Sequence, residues 1–203
     1  MRLSEARRDY YRRLAGEQGY RSRAAFKLIQ LDKKYRFLQK NSVVLDFGCA
    51  PGGWLQVASE KVGSKGFILG VDSKRIQPPS SNVTVLQDDI YSGDIASSIN
   101  ENLPKLADVV LSDLAPNISG IWSLDQSRQL DLNKRVVSLL SKTLDDNGAA
   151  IFKVFVGSEV KDFESSLKRI FKRVIFSKPP ASRNRSSEIY LVCLGYNERL
   201  SSF

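Results

Sequence analysis

The chain has 203 residues, 42% hydrophobic and 26% charged, enough for one folded domain with a full core. It carries a formal net charge of +9, two cysteines and no histidine, which excludes a disulfide framework, Ser-His-Asp and Cys-His hydrolysis and most zinc sites. No apolar run approaches the ~20 residues of a membrane span and the first residues lack a hydrophobic secretory core, so the expectation is a cytoplasmic protein with no membrane anchor and no metal.

In chain order, residues 1–20 read as a basic arm and 21–203 as a single domain. Arg21–Leu38 places Ala24, Ala25, Leu28, Leu31, Tyr35 and Leu38 near helical spacing. Ser42–Phe47 is a short buried strand, Gly48–Gly53 a Gly/Pro turn and 54–62 a helix. Gly66–Val71 and Asn82–Leu86 follow as strands, 93–102 as a short helix and Ala107–Ser112 as a fourth strand. Leu124–Leu144 reads as a helix closed by a C-cap at Asn147-Gly148. Ala149–Val156 is a fifth strand, Ser158–Phe171 a helix, and Arg173–Phe176 and Ile189–Leu194 the last two strands. Repeated β-α units predict an α/β fold: a seven-stranded, mostly parallel sheet with helices on both faces. The missing helix between the final strands predicts that the last one runs antiparallel.

In such a sheet ligands bind beyond the carboxyl ends of the strands. The turn at 46–54, Asp72, Asp88, Asp89, Asp113 and Lys153 lie there. The turn DFGCAPGGW matches neither G-x-G-x-x-G nor a Walker A loop. Asp72, 24 residues after Gly48 and just past the second strand, can accept both ribose hydroxyls of an adenosine-type cofactor, although a turn or N-cap role is an equal alternative when it is taken alone. With the glycine turn and no phosphate motif, S-adenosylmethionine (SAM) fits better than a dinucleotide.

Five segments, RSRAAFKL (21–28), LDFGCAPGGW (45–54), LSDLAPNISG (111–120), FKVFVG (152–157) and SRNRSSEIY (182–190), resemble the FtsJ/RrmJ family of SAM-dependent RNA ribose 2'-O-methyltransferases. The resemblance implies a Rossmann-like methyltransferase sheet and a catalytic Lys-Asp-Lys-Glu set on Lys27, Asp113, Lys153 and Glu188. It implies SAM contacts on Gly52, Trp54, Asp72, Asp89 and Asp113, with core packing an equal alternative for Trp54. Cys49 stands where bacterial ribosomal members usually have Ala. The chemistry agrees with the four residues. A ribose hydroxyl attacks a sulfonium methyl only as its proton leaves, and without histidine a lysine made neutral by desolvation or a nearby cation is the plausible base. The substrate implied is RNA, foremost a uridine of large-subunit ribosomal RNA. A tRNA anticodon-loop methyltransferase and a non-catalytic RNA-binding ribosome-assembly factor are the alternatives.

Charge is segregated along the chain. Residues 1–40 hold 12 Lys/Arg against 4 Asp/Glu, residues 41–167 hold 11 against 16, and residues 168–185 hold 7 against none. Two basic segments flanking an acidic body read as a polyanion footprint, with Arg21, Arg23, Arg183 and Arg185 as RNA contacts. Removing Arg183 and Arg185 together should lower RNA affinity and flatten its salt dependence by one to two contacts, each about 0.7 log units per log unit of salt on a single strand. SAM affinity should not change. Binding isotherms at several salt concentrations check this, and identical slopes would make the second basic segment an ordinary solvated face.

Overall fold

Val43–Phe47 (β1) is buried at every position, because side chains alternate between the two faces and both faces are covered. Val43, Leu45 and Phe47 enter one core and Val44 the other. The computed structural model describes residues 3–182 and 186–197. After α1 (Leu3–Glu17) and α2 (Ala24–Tyr35), the elements run β1, α3 (Gly53–Val62), β2 (Phe67–Asp72), β3 (Val83–Gln87), α4 (Ile95–Asn102), β4 (Ala107–Ser112) and α5 (Trp122–Thr143). They close with β5 (Leu144–Phe155), α6 (Val160–Lys168), β6 (Phe171–Ser177) and β7 (Glu188–Tyr196). The sheet has seven strands in the order β3-β2-β1-β4-β5-β7-β6. β1 through β5 pair parallel, and β7 runs antiparallel to both neighbours.

Helices cover both faces. Ala25, Leu28 and Leu31 of α2 join Leu55, Val57, Ala58 and Val62 of α3 against one face. Ile95 and Ile99 of α4, Val136 and Leu140 of α5, and Phe163 and Leu167 of α6 pack on the other. Among the described residues no helix is long and apolar enough to cross a membrane.

Two local readings need correction. The second helix stops at Tyr35, where Arg36 turns left-handed (φ 55°) and donates its N–H to Asp32 O at 2.7 Å. The Asp32 carboxylate accepts the Leu38 N–H at 2.9 Å, so Phe37 and Leu38 are buried without being helical. Asn147-Gly148 is not a helix cap. Leu144 is buried and already pairs with Ala107, residues between Leu144 and Ala149 bulge outward with Asn147 at φ 62°, and pairing resumes at Val109 and Ala149. The arm, for which the sequence gives no regular structure, is largely helical, and its Tyr11, Leu14 and Ala15 pack around Phe26.

The turn after β1 sets the site. Gly48 has φ 76°, and a Cβ there would lie 3.0 Å from the Leu114 backbone. Gly48→Ala should therefore destabilise the protein by about 1–3 kcal/mol, from left-handed strain plus the clash. Gly93→Ala, with nothing within 4 Å of its Cβ position, should change stability by no more than about 0.5 kcal/mol. Urea unfolding of the two variants checks the contrast.

Candidate active site

Four elements deliver side chains to one end of the sheet. β4 ends just before Asp113, whose N–H donates to Phe47 O at 3.2 Å and so fixes the strand exit against β1. β5 carries Lys153 near its end, directly across from Tyr190 of β7. Because β7 is antiparallel, its first residue, Glu188, lies at this same end, and α2 brings Lys27 over it. Lys153 Nζ is 3.1 Å from Asp113 Oδ1 and donates to Asp113 O at 2.6 Å. Lys27 pairs with Glu188 Oε1. Both lysines are only 6% exposed. The Tyr190 hydroxyl stands 3.2 Å from Asp113 Oδ1 and 3.1 Å from Glu188 Oε1, and with one proton it can donate to one carboxylate at a time. Burial is the largest influence on Glu188 and opposes its ionisation. Lys27, by charge and hydrogen bond, together with Lys153 and Tyr190, nevertheless holds its carboxyl below the usual range. The Tyr190 phenol is pushed well up by burial first and then by Asp113 and Glu188.

Beside these four residues lies a cleft of about 400 Å³ lined by Gly48, Ala50, Asp72, Asp88, Asp89 and Asp113, among others. Asp72 receives the Ala50 N–H at 2.8 Å and the Lys74 N–H at 2.9 Å. A carboxylate offers about four acceptor positions, so these two bonds orient Asp72 and leave acceptor capacity for a ligand. Asp89 accepts from the Tyr91 N–H at 2.9 Å. Beneath the turn, Asp46 is fully buried with neither carboxylate oxygen hydrogen-bonded. Its pKa is pushed well up, by burial first and then by the charges of Asp113 and Asp72. Burial thus favours the neutral acid at Asp46, and it is the side chains of Asp72, Asp88, Asp89 and Asp113 that make the cleft acidic, a surrounding that favours a cationic ligand. Among the described residues no group of three or more His, Cys, Asp or Glu side chains is arranged to hold a metal ion.

The model of the FtsJ-like methyltransferase family matches residues 20–196, a span that includes all these side chains. The chain belongs to that family. A Cenarchaeum symbiosum protein named ribosomal RNA large subunit methyltransferase E is 42% identical over 97% of this chain and 99% of its own length. A Methanocaldococcus jannaschii protein of the same name is 40% identical over 95% of this chain and 80% of its own length. Among solved structures, a Plasmodium falciparum protein described as a ribosomal RNA methyltransferase superposes with a TM-score of 0.78 at 35% identity, covering 87% of this chain and 98% of that one.

Other residues expected at the methyltransferase site are more scattered. Trp54 does not line the acidic cleft. It is buried, stacks on Tyr190 with ring centroids 5.9 Å apart, and donates its indole N–H to Ala24 O at 2.9 Å. Gly52 takes φ 106° at the start of α3, beneath the Arg21 guanidinium. Arg21 Nη1 donates to Gln77 O at 2.6 Å and to Pro51 O at 3.4 Å, so that end of its head group tethers the turn. Arg23 sits at the N-cap of α2, and Arg183 and Arg185 lie outside the described residues. Sequence reasoning missed three participants. Tyr190 is two residues after Glu188, and strand alternation puts both on one face. Gln129 and Asn133, one helical turn apart on α5, both donate to Lys153 O, at 2.8 and 2.7 Å. Buried amides four residues apart on a helix were the signal available.

The lowered Glu188 pKa fixes a pH dependence. Its native state binds fewer protons than the unfolded chain, so its contribution to stability is full above the ordinary value of about 4.3 and is lost as pH falls through the depressed one. Glu188→Gln should cost about 1–3 kcal/mol at pH 7 by removing the charged partner of Lys27. That difference should shrink as pH falls below about 4.3. Urea unfolding of both proteins at neutral and acid pH measures it, and a constant difference would refute the assignment.

Proposed function

We propose that the chain transfers the methyl group of SAM to a ribose 2'-hydroxyl of RNA, foremost a uridine of large-subunit ribosomal RNA. The observation that carries this reading is the buried Lys153, held on Asp113 at the rim of the acidic cleft and linked through Tyr190 to Lys27 and Glu188. The names of the archaeal relatives support the ribosomal substrate.

When bound, SAM would supply an electrophilic methyl on a sulfonium. Asp72 would accept its ribose hydroxyls, Asp89 would lie along the adenosine side, and Asp113 and the Gly48 turn would face the charged end. Their fit rests on the acidic lining of the cleft and on the acceptor capacity left on Asp72. On the RNA side, Lys153 Nζ would take the 2'-hydroxyl proton. Asp113 keeps Nζ aimed, while Gln129 and Asn133 hold the Lys153 backbone in register. Glu188 and Tyr190 anchor Lys27. Arg21, Arg23, Arg183, Arg185 and the arm at 1–20 are the RNA contacts of this reading, which places the protein in the cytoplasm with its ribosomal substrate.

Two substitutions separate cofactor binding from chemistry. Asp72→Ala should weaken SAM binding by about 1–3 kcal/mol, measured by calorimetry. Lys153→Ala should bind SAM and RNA nearly as wild type yet lose turnover by about 10²-fold or more, the scale of a positioned acid–base group. The assay is labelled SAM with undermethylated large-subunit ribosomal RNA, followed by mapping of the modified nucleotide. A Lys153→Ala rate within a few-fold of wild type would remove Lys153 from that role. Labelling of tRNA and not of ribosomal RNA would move the substrate.

A further inference from the structure

Next to the catalytic side chains, large apolar groups face solvent. Trp122, the first residue of α5, is 48% exposed, and Ile118, Ile121, Leu124 and Val156 are exposed around it. Exposed apolar side chains gathered beside a site mark contact with something. The indole leans on Phe155, ring centroids 5.7 Å apart and planes 37° apart.

The position of this pair is fixed by register. Phe155 lies across from Glu188, one alternate step beyond the Lys153–Tyr190 pair and on the same face of β5. Two residues of strand rise put it about 7 Å past Lys153. The pair is also held firmly. The Val156 N–H donates to Ser187 O at 2.8 Å, closing the end of β5 onto the segment before β7. Gly157 lets the first turn of α5 come close, since a Cβ there would meet the Gln126 amide at 1.8 Å. Asp125 accepts the N–H and hydroxyl of Ser119, at 2.8 and 2.7 Å, and the N–H of Gly120 at 3.2 Å, which pins the loop leading into Trp122.

Charge decides which way a polyanion can leave the site. On one side of Lys153 lie Asp72, Asp88 and Asp89, which repel phosphate. On the other lies the entry to β7, where Lys178 Nζ donates to Ser186 O at 2.7 Å. A route over Trp122 and Phe155 takes an RNA chain whose ribose sits at Lys153 away from those carboxylates. Flat, exposed rings are what an unstacked base binds.

We propose that Trp122, backed by Phe155, is the stacking platform for the base next to the methylated nucleotide. This rests on RNA being the substrate. The probes are a decauridylate RNA and the same sugar-phosphate chain without bases. Wild type should bind decauridylate about tenfold more tightly than the abasic chain, with quenching of indole emission, because stacking on one aromatic side chain carries about that much affinity. Trp122→Ala should lose that preference and raise KM for undermethylated ribosomal RNA about tenfold with kcat within a few-fold, while Trp122→Phe should retain most of both. Equal affinity of wild type for the two chains would overturn the proposal, as would an equal loss on both chains in Trp122→Ala. Intact RNA binding and methylation in Trp122→Ala, with loss only of self-association or of a protein contact, would also overturn it and make the patch a protein interface. If wild type methylates the RNA but Trp122→Ala behaves identically, only the stacking platform falls. If wild type neither binds nor methylates RNA, the proposed function falls with it.

Discussion

Two ammonium groups buried in one pocket must each be paired, because an uncompensated buried charge costs several kcal/mol. Lys27 and Lys153 meet this demand with Glu188 and Asp113, and those four residues come from α2, β7, β5 and the exit of β4. The Tyr190 hydroxyl lies within hydrogen-bond reach of both carboxylates, so the two ion pairs behave as one unit. Much of the surrounding structure serves that unit. Trp54 packs on the Tyr190 ring and ties α3 to α2 through the Ala24 carbonyl. A substitution at any of the four charged positions leaves a buried partner exposed to the full desolvation penalty, so their effects should be strongly non-additive.

The antiparallel course of β7 is what makes the cluster possible. A seventh strand running parallel to β5 would carry its start to the opposite end of the strands, and Glu188 would lie far from Lys153. Inserted antiparallel between β5 and β6, it places its first residue beside the ends of the parallel strands. The same geometry separates the two electrostatic environments of the site. Carboxylates from β2 and the loop after β3 line the cleft on one side, while Lys178, just after β6, stands on the other. Under the proposed function, a cationic cofactor and an anionic substrate would have opposite approaches to one reacting point.

The order and type of the strands were legible because each is a short apolar run ended by Gly, Asp or Ser. Asp72 was legible from the rule that ligands sit at strand ends. The four charged residues became specific only through their family motifs, since any single lysine or glutamate reads equally well as a surface ion pair. What escaped depends on cross-chain register. Tyr190 reads as one more core aromatic until β7 is paired with β5. The early start of β5 escaped because Asp145, Asp146 and Asn147 look like a loop, and only burial of Leu144 and its pairing with Ala107 make the strand begin there. Trp54 was open in the sequence, its place in the glycine motif suiting a ligand contact and core packing equally, and the structure packs it in the core.

α5 shows how one helix can set several parts of a site at once. Asp125, Gln129 and Asn133 recur every four residues, so they form a polar stripe on one face, and all three are buried. In an apolar core such a stripe would be costly, yet each member has a backbone to satisfy. Asp125 takes the N–H groups of Ser119 and Gly120, and its carboxyl is held below the usual range foremost by the Ser119 N–H. One turn later Gln129 donates to Leu114 O and Lys153 O, and a turn after that Asn133 bonds Lys153 O and Ser112 Oγ. The stripe thus fixes the loop after β4, the end of β4 and the catalytic turn of β5 against a single rigid rod. Trp122 begins that same rod, so the distance from the aromatic pair to Lys153 is set by helix and strand geometry and not by a flexible loop. In the proposed reaction a substrate must present one hydroxyl to one amine, and it would gain most from a site whose outer contacts are fixed in that way.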